Sequence, residues 1–232
     1  MCIRRKRQGN YESSDKIEKK SWCQNSKKQI IFIHVPKAAG HSLRIALKCK
    51  PSSHCRAIDI PGKFQTYTKV ACVRNPWDRL VSLYHYYLGR PDIKPVKTIL
   101  DRYKSFGDFA LDLKNIPIAE HRYIYLHNFR YWGKKENNMF GVVLQSNFHP
   151  MTFWLCNNEG EVIVDDIVSF ENIKRDFVEL GDKYNWGHKK KNLKKVHASK
   201  HSDYKEYYTS QDIIDAVAAY YISDIDTFKY EF

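Results

Sequence analysis

The 232-residue sequence lacks the features that would place it in a membrane or fibrous class. No apolar run approaches the ~20 residues that a membrane-spanning helix needs, the longest being short segments such as residues 30–33 and 141–144. The basic start Arg4–Arg7 is followed by polar residues and not by the apolar stretch of a signal peptide. With 10 glycines and 8 prolines, a collagen-like chain is excluded. We therefore expect a globular, cytoplasmic protein with no membrane span, unless the chain is a piece of a longer luminal protein.

Cysteine is scarce, and its positions are scattered. The six cysteines include no C-x-x-C pair, and two of them lie in strand-like or helix-like apolar segments. This distribution favours reduced thiols in a reducing compartment, although a disulfide between Cys49 and Cys55 stays open. No spacing of cysteine and histidine resembles a structural zinc site, and we expect no metal.

The positive charge, +13 in total, is confined to two segments. Residues 1–28 carry nine basic and three acidic side chains, residues 183–205 carry eight and one, and the other 181 residues are balanced. Residues 1–28 are also poor in apolar side chains, which predicts a disordered basic arm before a single domain over residues 29–232. The second segment predicts a basic loop, which is either a solvated lysine-rich loop or a contact for a phosphate-bearing ligand or an acidic polymer.

Two strand-to-helix units open the domain. The β-branched run Gln29–Val35 predicts a buried strand of the parallel type, and the apolar spacing of Ser42–Lys50 predicts a short helix after a tight turn. Lys69–Val73 predicts a second strand. Asn75 is then a suitable N-cap and Pro76 suits the first position of a helix.

Further strands and helices follow these units. Strands are predicted at residues 141–145, 152–156 and 162–168, with a hairpin turn at 157–160. Helices are predicted after the caps Ser105 and Ser210, the latter beginning the final helix, and over residues 172–180. The order of elements predicts a single α/β domain in which a parallel sheet is flanked by helices.

The turn after the first strand, residues 35–42, has the sequence V-P-K-A-A-G-H-S. Small residues let a ligand approach the backbone, and Lys37 adds a positive charge, so this turn suits a phosphate or sulfate. It is not a Walker A loop, because Lys37 precedes Gly40 instead of following it. A tight turn with an incidental surface lysine is the alternative.

The turn after the second strand, residues 74–82, has the sequence R-N-P-W-D-R-L-V-S. Arg74 leaves the strand beside a helix N-terminus, where its planar guanidinium can bind a phosphate through two hydrogen bonds. Ser82 lies two turns further on, off the apolar face of the helix, where a serine is ordinarily only solvated. If the two units lie side by side, two anion sites share one edge of the sheet.

These two segments resemble the 5′-phosphosulfate loop and the 3′-phosphate segment of sulfotransferases that use 3′-phosphoadenosine-5′-phosphosulfate (PAPS), and in particular their carbohydrate and bacterial branch. The similarity extends to Val164–Ile173 and to Tyr220–Phe232, and covers residues 29–232. The resemblance implies a P-loop-like α/β domain that transfers a sulfuryl group from PAPS to a hydroxyl or amine acceptor. A glycan is the expected acceptor, and adenosine 3′,5′-bisphosphate (PAP) is the product.

The resemblance also implies roles for particular residues. It assigns the 5′-phosphosulfate to Lys37 and to the backbone of Ala38, Ala39, Gly40, His41 and Ser42. Lys37 would also stabilise the leaving oxygen, while Arg74 and Ser82 would bind the 3′-phosphate. Relatives usually have a hydroxyl residue in place of Ala38 and threonine in place of His41, so some hydroxyl contacts to the donor are lost here.

A general base is needed to take the proton from the acceptor hydroxyl. Histidine suits this role because its ordinary pKa is about 6.5. Among the ten histidines, His54 resembles one that precedes the 3′-phosphate strand in related enzymes, and we predict that it is the base. A histidine in a surface loop is the alternative. We expect His34 to pack beneath the phosphosulfate loop and His85 to be structural.

Two other functions are weighed against the sulfotransferase. A nucleic-acid-binding protein could use the basic arm and loop, but the core is neutral and no known binding module is present. A nucleotide phosphotransferase would be expected to carry the Walker A motif that is absent here. We therefore expect no nucleic-acid partner. The resemblance instead suggests that the late basic segment, which includes Lys194, Lys195, Ser199 and Lys200, closes over the nucleotide.

Overall fold

A computed structural model of the chain describes residues 22–50, 54–91, 93–118, 146–186, 193 and 201–232. The strand predicted at residues 141–145 lies outside the described residues. So do the arm up to residue 21 and the segment that contains Lys194, Lys195, Ser199 and Lys200.

A sheet forms the centre of the fold, and four of its strands fall within the described residues. In spatial order they are β1 (Gln24–Asn25), β2 (Ile30–Ile33), β3 (Thr68–Val73) and β4 (Asp166–Ser169). Strands β2, β3 and β4 are parallel, and β1 is antiparallel to β2. Because β2 and β3 are parallel neighbours, the segments that follow them emerge at the same edge of the sheet.

Strands β2 and β3 form from continuous apolar runs. All of β2 is buried, and so are the last four residues of β3, as parallel strands covered on both faces require. The predicted strands at these two places are confirmed, with β2 shorter than expected.

Helices cover the sheet. Within the described residues the α-helices are α1 (Gly40–Ala46), α2 (Pro76–Leu88), α3 (Lys94–Leu100), α4 (Phe106–Asp112), α5 (Met151–Leu155), α6 (Ile173–Lys183), α7 (Gln211–Tyr220) and α8 (Ile222–Phe228). The protein is thus a single α/β domain with a mostly parallel sheet flanked by helices, as predicted.

Two predicted N-caps are confirmed. The side-chain oxygen of Asn75 accepts hydrogen bonds from the backbone N–H groups of Trp77 at 3.0 Å and Asp78 at 3.4 Å. The hydroxyl of Ser105 accepts from the N–H of Asp108 at 3.1 Å. These bonds satisfy donors that have no partner inside the helix, and they fix where α2 and α4 begin.

The strand predicted at residues 152–156 is wrong, because this segment forms helix α5. A short, uniformly apolar run does not distinguish a buried strand from a buried helical turn. The buried carboxylate of Asp224 decides between them by accepting from the N–H groups of Met151 at 2.7 Å and Thr152 at 2.8 Å. That long-range contact caps the first turn of α5.

The next predicted elements are displaced by a few residues. The turn at 157–160 is present, and Cys156 forms an isolated antiparallel bridge with Val162. Strand β4 starts only at Asp166, and α6 extends three residues beyond the predicted helix. Helix α7 begins after Ser210 as expected, but the Ser210 side chain makes no capping hydrogen bond, so the predicted cap is wrong in that respect. Helix α8 follows α7, so α7 is not the final helix.

The sheet begins upstream of residue 29, where the sequence analysis places the start of the domain. Strand β1 pairs with β2, and the carbonyl of Cys23 accepts a hydrogen bond of 2.7 Å from the N–H of Phe32. Cys23 is fully buried. Residues from Trp22 onward therefore belong to the domain and not to the arm.

The apolar core has two parts. One packs on the sheet and includes Phe32, Leu43 and Trp154, and the other lies among α2, α3, α4 and α7. Cys49 and Cys55 are buried and are not joined by a disulfide, so the bridge that stayed open between them is absent. No described helix is long and apolar enough to cross a bilayer.

Candidate active site

The turn between β2 and α1 has a strained backbone. Lys37 and Ala39 have φ angles of 64° and 50°, in the left-handed region that residues other than glycine seldom adopt. Left-handed residues in a turn help to direct successive N–H groups to one side, an arrangement that binds anions. Ala38 between them is fully buried, so its methyl group packs in the core.

Gly40 is required by a close approach to His34. A Cβ atom at position 40 would lie 1.8 Å from Cδ2 of His34, which no real side chain could tolerate. His34 therefore packs, as predicted, against the turn of residues 35–42, which we call the phosphosulfate loop after the sequence resemblance. Burial lowers the pKa of His34 well below its ordinary value, and the nearby His54 acts in the same direction, so the ring is neutral near pH 7.

The side chain of Lys37 is half-buried, which distinguishes it from an incidental surface lysine. Its Nζ lies 4.7 Å from the ring centroid of Tyr86 on α2, within the range of a cation–π interaction. Burial, with a further contribution from the charge of Arg74, lowers the pKa of Lys37 to about 8. The ammonium is thus charged at neutral pH but titrates slightly above it.

Arg74 joins the two predicted anion segments. Its Nη1 donates a hydrogen bond of 3.0 Å to the carbonyl of Lys37, and its guanidinium lies 4.1 Å from the ring centroid of Phe170. Its Nε and Nη2 each donate to one oxygen of Asp78 at 2.7 Å. The sequence analysis assigned the guanidinium of Arg74 to a phosphate, but its Nε and Nη2 atoms already donate to Asp78. The remaining N–H groups on Nη1 and Nη2 are the ones available to an anion.

Ser82 is almost fully buried, at 1% exposure, and so is not a solvated serine on an open helix face. Tyr86 lies one turn further along α2 on the same face, and it carries the contact with Lys37. The phosphosulfate loop therefore approaches the face of α2 that contains Ser82. The structure brings Lys37, Arg74 and Ser82 into one region.

His54 lies beside the end of β2. Its Nδ1 is 2.7 Å from the backbone carbonyl of His34, and its ring centroid is 4.2 Å from that of His34. A carbonyl only accepts hydrogen bonds, so Nδ1 is the protonated nitrogen of neutral His54. Nε2 is then the basic atom, which is the tautomer that a general base requires.

The remaining predicted loop residues lie close to these groups. His41 is partly buried, with Nε2 3.5 Å from Nη2 of Arg44, and Ser42 is buried at the start of α1. His85 packs its ring against His201 and Tyr207, at centroid distances of 5.6 Å and 4.8 Å. This packing supports a structural role for His85 and places the end of the late basic segment on α2.

Arg79 is a positioning residue that the sequence analysis missed. Its side chain is fully buried and donates from Nε to the carbonyl of Pro36 at 3.0 Å. Its Nη2 donates to the carbonyls of Asn147 at 2.7 Å and His149 at 2.9 Å. Arg79 thus connects α2, the phosphosulfate loop and the segment before α5. No local sequence signal indicated this burial, because Arg79 lies away from the apolar face of α2.

Comparison with known families identifies the family of the chain. The family model described as "Sulfotransferase family" matches residues 21–231, nearly the whole chain. The chain belongs to this sulfotransferase family, and the predicted resemblance is confirmed at that level. No curated protein and no solved structure gives a match. The carbohydrate branch stays a prediction.

Proposed function

We propose that the protein is a PAPS-dependent sulfotransferase that transfers a sulfuryl group to a hydroxyl or amine group of a glycan. The observation that carries this proposal is the hydrogen bond from Arg74 to the carbonyl of Lys37. It joins two anion-binding segments at one edge of the sheet. His54 lies beside them through its bond to the carbonyl of His34.

The residues present fit a donor with two anionic ends. Lys37 and the backbone of the loop that follows it would hold the 5′-phosphosulfate, and the Nη edge of Arg74 with the hydroxyl of Ser82 would hold the 3′-phosphate. The bound donor supplies the sulfuryl group, and PAP is released.

Catalysis would rest on positioning and on charge. The Nε2 atom of His54 takes the proton of the acceptor hydroxyl as its oxygen bonds to sulfur. The ammonium of Lys37 stabilises the negative charge that develops on the phosphate oxygen as the bond from that oxygen to sulfur breaks. Arg79 and Arg74 hold the loop in place through the carbonyls of Pro36 and Lys37, so little reorganisation is needed during the reaction.

Thermal unfolding with product nucleotides tests the donor assignment. PAP at a hundred times its Kd should stabilise the protein by about 2.7 kcal/mol, or roughly 5–10 °C in Tm. AMP lacks the 3′-phosphate and should give a much smaller shift, so equal shifts would contradict the two-site assignment. Transfer from radiolabelled PAPS to a panel of glycans then tests the reaction. Turnover of ATP with magnesium would instead favour a phosphotransferase.

A further inference from the structure

The guanidinium of Arg56 is held in place by Phe153, but only its Nε atom forms a hydrogen bond within the described ranges of the chain. Its Nε donates to the carbonyl of Phe153 at 3.0 Å, and its Cζ lies 4.6 Å from the centroid of the Phe153 ring. The side chain is half-buried. Within the described part of the chain, Nη1 and Nη2 have no hydrogen-bond or ion-pair partner. The Phe153 contacts fix the guanidinium plane and leave the Nη1–Nη2 edge for a ligand.

Three other arginines of the domain use their terminal nitrogens. Arg74 donates from Nη2 to Asp78, Arg79 donates from Nη2 to two carbonyls, and Arg175 pairs with Asp176 at 2.9 Å. Arg56 differs from them because its Nη1 and Nη2 form no hydrogen bond or ion pair with the described residues. A half-buried, uncompensated cation of this kind favours an anion.

Arg56 lies two residues after the proposed base His54, with one residue between them. The backbone of Arg56 is extended, with φ −81° and ψ 149°, and Cys55 beside it is buried at 1% exposure. His54 and Arg56 are both only partly buried, in contrast to Cys55 between them.

Helix α5 contacts both of these side chains. The ring of Trp154 is 5.9 Å from that of His54, and the neighbouring Phe153 contacts Arg56. Two consecutive residues of one helix therefore support the base and the free guanidinium edge.

We propose that Arg56 forms an acceptor subsite that binds a carboxylate or sulfate group next to the hydroxyl that is sulfated. This inference rests on the proposed function, because it takes His54 as the base. The planar edge of the guanidinium matches either anion with two hydrogen bonds, and its fixed plane reduces the entropy lost on binding. The acceptor class is then an acidic glycan and not a neutral one.

Binding to matched oligosaccharides tests this subsite. We would measure by calorimetry the Kd of a uronic-acid oligosaccharide and of its carboxyl-reduced counterpart, with PAP present. The acid form should bind about tenfold or more tightly, because two charge-assisted hydrogen bonds are lost in the reduced form. A carboxyl-reduced oligosaccharide that carries a sulfate distinguishes the two anions, and tighter binding of either anionic probe supports the subsite.

Two variants identify the residue responsible. Arg56→Gln should remove the preference for the anionic probe. Lys63→Gln is the matched control, because Lys63 is an exposed cation on the same connecting segment, with Nζ 5.4 Å from the ring centroid of Phe64. It loses the same charge and should keep the preference. Arg56→Lys keeps the charge without the planar edge and should give an intermediate preference.

Each failure has a different signature. If wild-type protein binds the anionic and reduced probes equally, or binds none of them, the subsite is overturned. It is also overturned if Arg56→Gln keeps the preference. The Tm shift with PAP reports on the donor site and should be the same in Arg56→Gln and in wild type. If PAP gives no shift at all, the donor proposal fails, while the anion preference can still be measured without nucleotide.

Discussion

The Nη1 group of Arg74 donates a hydrogen bond of 3.0 Å to the main-chain carbonyl of Lys37. A residue of the proposed 3′-phosphate segment thus holds a residue of the phosphosulfate loop. Arg74 has two expected effects on the donor: it supplies N–H groups to one end, and it fixes the backbone that receives the other.

Removing the guanidinium of Arg74 should weaken nucleotide binding. A charged hydrogen bond contributes about 1.5–3 kcal/mol, so Arg74→Ala should raise the Kd for PAP by about 10- to 150-fold, as measured by calorimetry. Arg175→Ala on the exposed face of α6 removes the same charge and should leave the Kd unchanged. An unchanged Kd in Arg74→Ala would show that the 3′-phosphate assignment is wrong.

Removing the proposed base should slow the reaction without weakening the binding of the nucleotide. His54→Ala should lower kcat by roughly 10²–10⁴-fold in the radiolabel assay, because proton removal from the acceptor is lost. The Kd for PAP should stay close to the wild-type value, since His54 does not contact the phosphates in this assignment.

Two results would contradict the role of His54. If His54→Ala is fully active, the base lies elsewhere, and His41 in the phosphosulfate loop is the next candidate to substitute. If the Kd for PAP rises together with the loss of kcat, His54 acts on the donor or on the loop and not on the acceptor proton.

Binding of PAP should depend on pH through Lys37. The pKa of Lys37 is lowered to about 8, so the ammonium is present below this pH and is lost above it. The Kd for PAP should therefore rise above pH 8, by up to about tenfold per pH unit. Lys37→Arg keeps its charge across this range, so its Kd should not rise between about pH 7 and pH 9.5. A parallel rise in both proteins would assign the titration to another group.

The ring of Tyr86 should influence the same titration. Its face stabilises the charged form of Lys37, so Tyr86→Leu should lower the pKa of Lys37 and move the rise in Kd to lower pH. Tyr86→Phe retains the ring and should behave like wild type. Equal profiles for the leucine and phenylalanine variants would remove any role for the cation–π contact.

The buried carboxylate of Asp224 should be important for stability. It accepts from two backbone N–H groups and from the hydroxyl of Thr152, and it lies near the buried charge of Arg79. Asp224→Ala should lower the free energy of unfolding in urea by roughly 3–5 kcal/mol. Asp226→Ala changes an exposed residue of the same helix and should cost at most about 0.5 kcal/mol. Similar losses in both variants would contradict this role.

Local signals predicted the first two strand-to-helix units well. The β-branched run of β2 and the pair Asn75-Pro76 act over a few residues, so each could be recognised without knowledge of distant contacts. Residues 152–156 could not be assigned in this way. Their helix depends on the carboxylate of Asp224, which lies some seventy residues further along the chain.

The candidate site was predictable in its residue types but not in its contacts. The motifs identified Lys37 and Arg74, while the pairing of Arg74 with Asp78 follows from side-chain geometry at the start of α2. The three bonds of Arg79 reach carbonyls in two segments far from it in sequence. No local pattern carries that information.

The approach of His34 to Gly40 also constrains how this family can vary. A side chain at position 40 and an imidazole at position 34 would need the same space, since the added Cβ falls 1.8 Å from Cδ2 of His34. The two positions should therefore change together. Among natural relatives with this backbone, those with alanine or a larger residue at position 40 should have a smaller residue at position 34. His34→Ala should accordingly be the change that makes Gly40→Ala tolerable.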